Sequence, residues 1–416
     1  MSTQSLYSAN REYNFTGDIP VSQIVKEYGA PVYVYDFGRI KQQYEKITKA
    51  FNTDRLKVNY ACKANTNINV LKYLRSLGSG LDTVSIQEVK IGLMAGFEPK
   101  QILYTPNCVS MAELGEAVSL GVNINLDNLS VLEQFGDLYP DYPICVRINP
   151  HIMGGGNHKI STGHIDSKFG ISIHQVPHIL RIVEAHNMNV TGLHMHTGSD
   201  ILDVETFLIG ADLLLEVAHQ FKGLEYLDFG SGFKVAYKEG DVSTDMDLLG
   251  SKFMERFDAF CDEYGKELDI VFEPGKYLVS DAGYFLASVN VIKQTTSTVF
   301  AGLDTGLNHL IRPMLYGSHH DIKNVSRTEG PTRLYTIVGY ICETDTFGVN
   351  RRMTEVREGD VLAFSNSGAY CFSMSSNYNS RYRPAEVAIL DGKHYLIRER
   401  EEMKDLLAKQ VEIPTL

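Results

Sequence analysis

From Leu56 onward, apolar and polar positions fall into a two-part rhythm. A short apolar run ends in polar residues, and a longer segment follows whose apolar positions recur at helical spacing. Eight such runs occur: LKVNYA, GLDTVS, QILYTP, VNINLD, ICVRIN, VTGLHMH, LEYLDFG and DIVFEPG. Between them lie helical patterns such as VLKYLRSLG, QEVKIGLMAG, MAELGEAVSLG, VETFLIGADLLLEVAHQF and the run from Asp247 to Lys266. Eight parallel βα units close into a barrel of about 250 residues, so the pattern predicts an α/β fold with a (β/α)8 TIM-type barrel. The residues after each run are Lys63, Asp82 with Ser85, Asn107, Asp127, Arg147 with Asn149, His196, Gly230 to Gly232, and Glu273. The fold gathers these polar groups on one rim, where barrel active sites are built. Polar loop residues end α/β strands in any case, so the pattern speaks for the fold before it speaks for an activity.

The texture differs on either side of this stretch. Residues 1 to about 29 are polar with a helical patch at Val21–Val25, and Ala30–Asp36 (APVYVYD) reads as a strand of another sheet. After Gly283 the sequence is β-rich, with YFLASVNVIKQ, STVFAGLD, RLYTIVGYI, DVLAFSN and AEVAILDG separated by Gly, Asn and Asp turns. The expected organisation is an N-terminal segment 1–36 contributing to a β domain, a barrel at 37–285, and a C-terminal β domain at 286–416. The long segment MGGGNHKISTG (Met153–Gly163) carries three glycines but no GK[ST], and reads as a flap at the rim rather than a phosphate cradle.

At 416 residues there is length for two cores. The balance of 39 basic and 51 acidic residues, with no polybasic run, argues against nucleic acid or an anionic membrane as partner. No apolar stretch is long enough for a membrane span, and the polar start Met1–Gln4 lacks a signal-like segment, so a cytoplasmic protein is expected. The six cysteines (Cys62, Cys108, Cys145, Cys261, Cys342, Cys371) show no CxxC spacing, and neither a metal site nor a disulfide framework is expected.

The chemistry centres on YACKAN, Tyr60 to Asn65. Lys63 stands where a strand ends and a helix begins, between small residues that permit close packing. A desolvated lysine has a lowered pKa and forms an imine with an aldehyde. That imine needs a cofactor, and other motifs offer groups for one with a phosphate and a basic ring. LDFGSGF brings glycines after a strand, where backbone N–H groups can approach an anion. GLHMHTGSD supplies a ring that could stack and a serine for the phosphate. Glu273, opening EPGK, could pair with a pyridinium nitrogen. Each also fits a plain structural role: Lys63 closing a strand, GSG as a turn, His194 or His196 as a satisfied barrel histidine, EPG as a strand end. Their succession on one rim carries the weight.

In order along the chain, YACKAN, GLDTVS with Gln87-Glu88, VRINP, SKFGI, HMHTGSD, DFGSGF, EPGK, LDTGLNHLIRPMLYG, ICET and GAYCFSMSSNYN resemble the fold type III pyridoxal-phosphate-dependent decarboxylases, diaminopimelate decarboxylases most of all. The resemblance runs from about Ala30 to Glu386 and implies an alanine racemase-like barrel plus a β domain. It further implies pyridoxal 5'-phosphate as cofactor, Lys63 as the residue that holds it, and decarboxylation of meso-2,6-diaminopimelate to L-lysine and CO2. His196 would stack on the ring, Glu273 would face its nitrogen, and Asp82 would belong to the cofactor site. Ser199, Gly230, Ser231, Gly232 and Tyr370 would line the phosphate. Lys276, Arg312, Tyr316, Glu343 and Tyr370 would hold substrate, with Cys342 and Glu343 delivered from a neighbouring subunit of a homodimer with shared active sites. Cys342 or the freed Lys63 would supply the proton that replaces CO2.

Three departures from the family pattern stand out: Lys276 replaces arginine and loses its planar fork, Ser231 replaces the middle glycine of GGG, and ICET replaces Cys-Glu-Ser. Rival readings are a sister decarboxylase acting on carboxynorspermidine, arginine or ornithine, an alanine racemase, and a non-catalytic pyridoxal-phosphate-binding homologue. Arg312 and Tyr316 favour a substrate with a second carboxylate.

Overall fold

All eight apolar runs are strands: β1 (Leu56–Ala61), β2 (Gly80–Thr83), β3 (Ile102–Tyr104), β4 (Asn123–Leu126), β5 (Ile144–Asn149), β6 (Val190–His194), β7 (Tyr226–Asp228) and β8 (Asp269–Phe272). Each pairs in parallel with the next, and β8 pairs with β1, so the sheet closes into a (β/α)8 barrel. In this computed structural model the described residues are 14–15, 18–152 and 167–414. The flap expected at Met153–Gly163 lies outside them, as does the polar start Met1–Gln4. A short strand, Ile171–Ser172, adds in parallel to β5.

The helices begin where the sequence supplies caps. Asn67, Ser85, Ser110, Asn128, Asp203 and Asp245 each accept a hydrogen bond from a backbone N–H in the first turn of the helix they precede. Satisfying one orphan donor this way is worth about 1 kcal/mol per helix. Between helix and barrel wall sits an aromatic cluster, with Phe51 4.7 Å from Phe272, Phe229 4.8 Å from Phe253, and Phe253 5.5 Å from Phe272 (ring centroids). This barrel unit comprises Lys41–Ala236 and Gly240–Leu278.

The other unit takes the chain up to Ile40, Tyr237–Glu239, and everything from Val279. Its sheet has the order Thr346–Thr354, Thr332–Val338, Val299–Leu303, Gly283–Gln294, Val32–Asp36, Ala385–Leu390, Lys393–Arg398. The strand Val361–Phe364 pairs with both Gly283–Gln294 and Ile322–Asn324. Val32–Asp36 thus lies between Gly283–Gln294, antiparallel, and Ala385–Leu390, parallel. Val32, Val34, Leu286, Ala363, Val387 and Ile389 bury one face of it together. RLYTIVGYI does not continue as a strand to Ile341, because Gly339 donates to the Asp345 carbonyl at 2.7 Å and turns the chain. Among the described residues no helix is long and apolar enough to cross a membrane.

Candidate active site

β1 ends at Ala61, whose N–H bonds the Pro274 carbonyl at 3.3 Å, and the chain turns through a single 3-10 turn, Cys62–Ala64. Cys62 and Ala64 point into the core, so Lys63 must point away from it. Its amine stands 3.4 Å from Asp82 Oδ2 on β2. The desolvated lysine expected from the sequence is not found: the Lys63 side chain is 43% exposed, because its small neighbours pack the turn, not the amine. The enclosed partner is Asp82, 1% exposed. Burial and the nearby Glu273 raise its carboxyl to about 6 against the pull of Lys63.

Across the barrel interior lies a polar chain. Asn125 on β4 places its amide nitrogen 2.9 Å from His194 Nδ1, at the end of β6, and His194 Nε2 lies 3.1 Å from Glu273 Oε2, just after β8. All three are buried. Asp228, at the end of β7, accepts the Gly230 N–H at 2.8 Å through Oδ1. Ligating atoms of His194, Asp228 and Glu273 lie within 4.8 Å of one another. Burial, then repulsion from Glu273, drives Asp228 well above the usual carboxylate range, and burial raises Glu273 as well. Both histidines, His194 and His196, are held far below their ordinary value by burial and by Arg147, so both are neutral. Glu273 Oε1 and Asp228 Oδ2 are buried without a donor, and two adjacent carboxylates in that state call for a proton or a cationic N–H.

The LDFGSGF turn follows β7 and is stitched to the segment after β6. Met195 N–H bonds the Asp228 carbonyl at 2.9 Å, Ile201 N–H the Gly232 carbonyl at 2.8 Å, and Ser231 N–H donates to His196 Nδ1 at 3.2 Å. Gly230 and Gly232 have φ of +61° and +115°, whereas Ser231 keeps a negative φ, which is why a serine fits between them. A Cβ on Gly230 would fall 2.6 Å from His196 Nδ1 and 2.7 Å from the Met195 carbonyl. Ser199 belongs to the same segment, and its hydroxyl is buried with no hydrogen-bond partner. Lys276 forms an ion pair with Asp200, the residue that follows Ser199.

The remaining selected residues belong to the other unit. Arg312 opens the short helix Arg312–Tyr316, is buried, and donates to the Ala369 carbonyl at 3.3 Å. Its guanidinium carbon lies 5.5 Å from the Tyr237 ring centre and 5.9 Å from that of Tyr370, which sits at φ +58°. Cys342 is exposed, with the Asn379 amide nitrogen 3.2 Å from its sulfur, and Glu343 accepts from Tyr378 Oη at 2.6 Å. Asn379 and the following Ser380 both have φ of +56°, an uncommon pair outside glycine.

Sequence reasoning did not single out Asn125, Asp228, Tyr378 or Asn379, and it assigned His196 to the cofactor ring but gave His194 no role. The alternation of each strand marks inward positions but not which of them meet. A cavity of about 360 Å³ opens at the opposite, N-terminal end of the barrel, lined by Lys57, Asn59, Gln101, Asn123 and Tyr226 among others. None of the groups selected for chemistry lines it. The barrel rim fits pyridoxal phosphate on its own terms: an amine at Lys63 for an aldehyde, an unpartnered carboxylate oxygen at Glu273 for a cationic ring nitrogen, and an unpartnered hydroxyl at Ser199 beside a glycine turn for a phosphate.

The chain as a whole is similar to known proteins. Residues 37–280 match the family model "pyridoxal-dependent decarboxylase, pyridoxal binding domain". A diaminopimelate decarboxylase of Methanothermobacter thermautotrophicus is 41% identical over 406 residues, covering 95% of this chain and 94% of that protein. The crystal structure of diaminopimelate decarboxylase from Helicobacter pylori complexed with L-lysine superposes with a TM-score of 0.86 at 30% identity, covering 93% of this chain and 98% of that one. The M. jannaschii enzyme, also in complex with L-lysine, gives a TM-score of 0.89 at 29% identity, covering 98% of both chains. With family model, full-length relatives and fold in agreement, the chain belongs to the diaminopimelate decarboxylase family of pyridoxal-dependent decarboxylases.

Proposed function

We propose that this chain decarboxylates meso-2,6-diaminopimelate to L-lysine and CO2 with pyridoxal phosphate as cofactor. The observation that carries the reading is 41% identity, over nearly the whole of both chains, to a diaminopimelate decarboxylase. The rim chemistry supports it independently. When bound, the cofactor supplies an electron sink for the pair left behind by CO2.

The chain's own groups have distinct tasks. Lys63 presents an amine at the end of β1, and Asp82 beside it holds that amine in place and takes up its positive charge. Glu273, whose Oε1 is buried without a partner, would accept from a cationic ring nitrogen and favour its protonated form. Ser199, Gly230, Ser231, Gly232 and Tyr370 would receive the phosphate, and His196 would stack on the ring. Arg312, Tyr316 and Lys276 grip the substrate's second carboxylate, for which the planar fork of Arg312 is well suited. Glu343 takes the distal ammonium. In a homodimer, Cys342 and Glu343 of each chain serve the partner's site, and the proton that replaces CO2 comes from Cys342 or from Lys63. The protein works in the cytoplasm, where its substrate and product are small soluble amino acids.

The test is lysine and CO2 production from meso-diaminopimelate by purified protein supplied with pyridoxal phosphate, with ornithine, arginine and carboxynorspermidine run in parallel. Lysine formation with the other three inert is the expected result. Faster turnover of any of those three would overturn the assignment of Arg312, Tyr316 and Glu343.

A further inference from the structure

His194 is buried, neutral and unused by the reaction as set out above. A neutral imidazole has a single N–H, and the geometry decides where it sits. The Asn125 amide nitrogen can only donate, and it faces His194 Nδ1 at 2.9 Å, so Nδ1 is the acceptor. The proton is then on Nε2, 3.1 Å from Glu273 Oε2, and it is donated to that carboxylate. One oxygen of Glu273 is thereby anchored, while Oε1 has no partner. A carboxylate held this way cannot rotate to bring its used oxygen forward. The surrounding charges are Arg147, Lys63, Asp82 and Asp228. Asp228 would repel an ionised Glu273, and the imidazole N–H counters that repulsion without adding a charge.

We infer that His194, with its tautomer fixed by Asn125, is a positioning residue that anchors Glu273 Oε2 and so keeps Oε1 ionised and aimed at the cofactor's ring nitrogen. This rests on the proposal that Glu273 meets that nitrogen. It is a relay across the barrel from β4 through β6 to the end of β8, and it makes cofactor affinity depend on two residues that touch no cofactor.

Two measurements test it. In the cofactor-free protein labelled with 15N-histidine, His194 should show a protonated Nε2 and a bare Nδ1 across the neutral pH range. A bare Nε2 with a protonated Nδ1 would put the proton on Glu273, and a ring protonated at both nitrogens would make His194 a cation; either result would overturn the inference even if no variant folds. In the second measurement, pyridoxal phosphate affinity and the visible absorption of the bound cofactor are compared for E273Q, H194N and H194Q. Asparagine reaches only the Nδ1 position and loses Glu273, so H194N should weaken cofactor binding about ten- to a hundredfold, the effect of removing a hydrogen bond to a charged group. Glutamine reaches the Nε2 position and should recover much of that loss. If E273Q changes affinity and absorption while H194N matches the parent protein, His194 does not position Glu273. If E273Q itself changes neither, Glu273 does not meet the ring nitrogen and the role assigned to His194 falls with it.

Discussion

Replacing Gly230 by alanine should separate two costs that the glycine turn avoids. The first is conformational: at φ +61° an L-residue loses roughly 1–2 kcal/mol. The second is steric, because the new methyl would lie 2.7 Å from the Met195 carbonyl and 2.6 Å from His196 Nδ1. Met195 cannot retreat freely, since its N–H is bonded to the Asp228 carbonyl at 2.9 Å, and overpacking of this kind costs about 1–3 kcal/mol. The sum is a loss of about 2–5 kcal/mol in G230A. Gly240 supplies the control: its φ is +77° and no atom lies within 4 Å of the place a methyl would take, so G240A carries the conformational cost alone. The chain has no tryptophan, so guanidinium unfolding is followed by far-UV circular dichroism on the cofactor-free proteins. G230A should unfold at clearly lower denaturant than G240A, and it alone should bind pyridoxal phosphate more weakly because His196 is displaced. Equal midpoints for the two variants would refute the steric argument.

Other perturbations test other parts of the fold. Asp82 is raised from 3.8 to about 6, so the folded chain holds this proton more tightly than the unfolded one. Its contribution to stability is complete below pH 3.8 and is lost as pH rises to about 6. D82N stays neutral and should not show that decline, and a stability difference between the two proteins that is flat across the window would count against the shift. Glu386, fully buried in the β unit, accepts Tyr35 Oη at 2.7 Å and pairs with Arg398. E386A should cost roughly 1–3 kcal/mol, because Tyr35 is left buried without an acceptor while the half-exposed Arg398 can turn to water. Recovery of most of that loss in E386Q, measured by thermal unfolding, checks the hydrogen-bond account. K276A should raise KM for diaminopimelate about tenfold or more with the pyridoxal phosphate Kd unchanged. The reverse split would move Lys276 from the substrate to the phosphate.

The barrel was legible because most positions of its strands are buried and apolar residues dominate them, as in ICVRIN, where all of Ile144–Asn149 is enclosed, although Leu56–Ala61 carries the exposed Lys57. Edge strands of the β unit were not. Lys393–Arg398 pairs on one side only and is largely exposed, and Thr346–Thr354 carries Asn350-Arg351-Arg352 at the other edge, so neither has an apolar pattern to find. Polar groups at strand ends could be read one by one, since each closes its own strand. Their pairings could not: Asn125 meets His194 from 69 positions away, and Lys276 meets Asp200 from 76. The long-range partner of a polar residue depends on strand tilt and register around the barrel, which leave no mark in the local sequence.

The charges at the rim give a physical reason for the arrangement. Asp82, Asp127, Asp228 and Glu273 all act on Arg147, Lys63 and Arg147 are the cations that act on Glu273, and the neutral histidines add nothing, so acids outnumber these two cations. For stability alone this is poor design, since apolar side chains filling the same space would avoid the desolvation cost. The raised carboxyls and the unpartnered oxygens of Asp228 and Glu273 are that cost made visible. A ligand that brings a cationic N–H to Glu273 gives Oε1 its missing donor and offsets the negative charge beside Asp228. Part of its binding free energy should therefore reappear as stability of the barrel, because a ligand that binds only the folded state shifts the folding equilibrium toward it. The same groups whose burial costs the barrel stability are thus the ones that select a protonated ring over a neutral one.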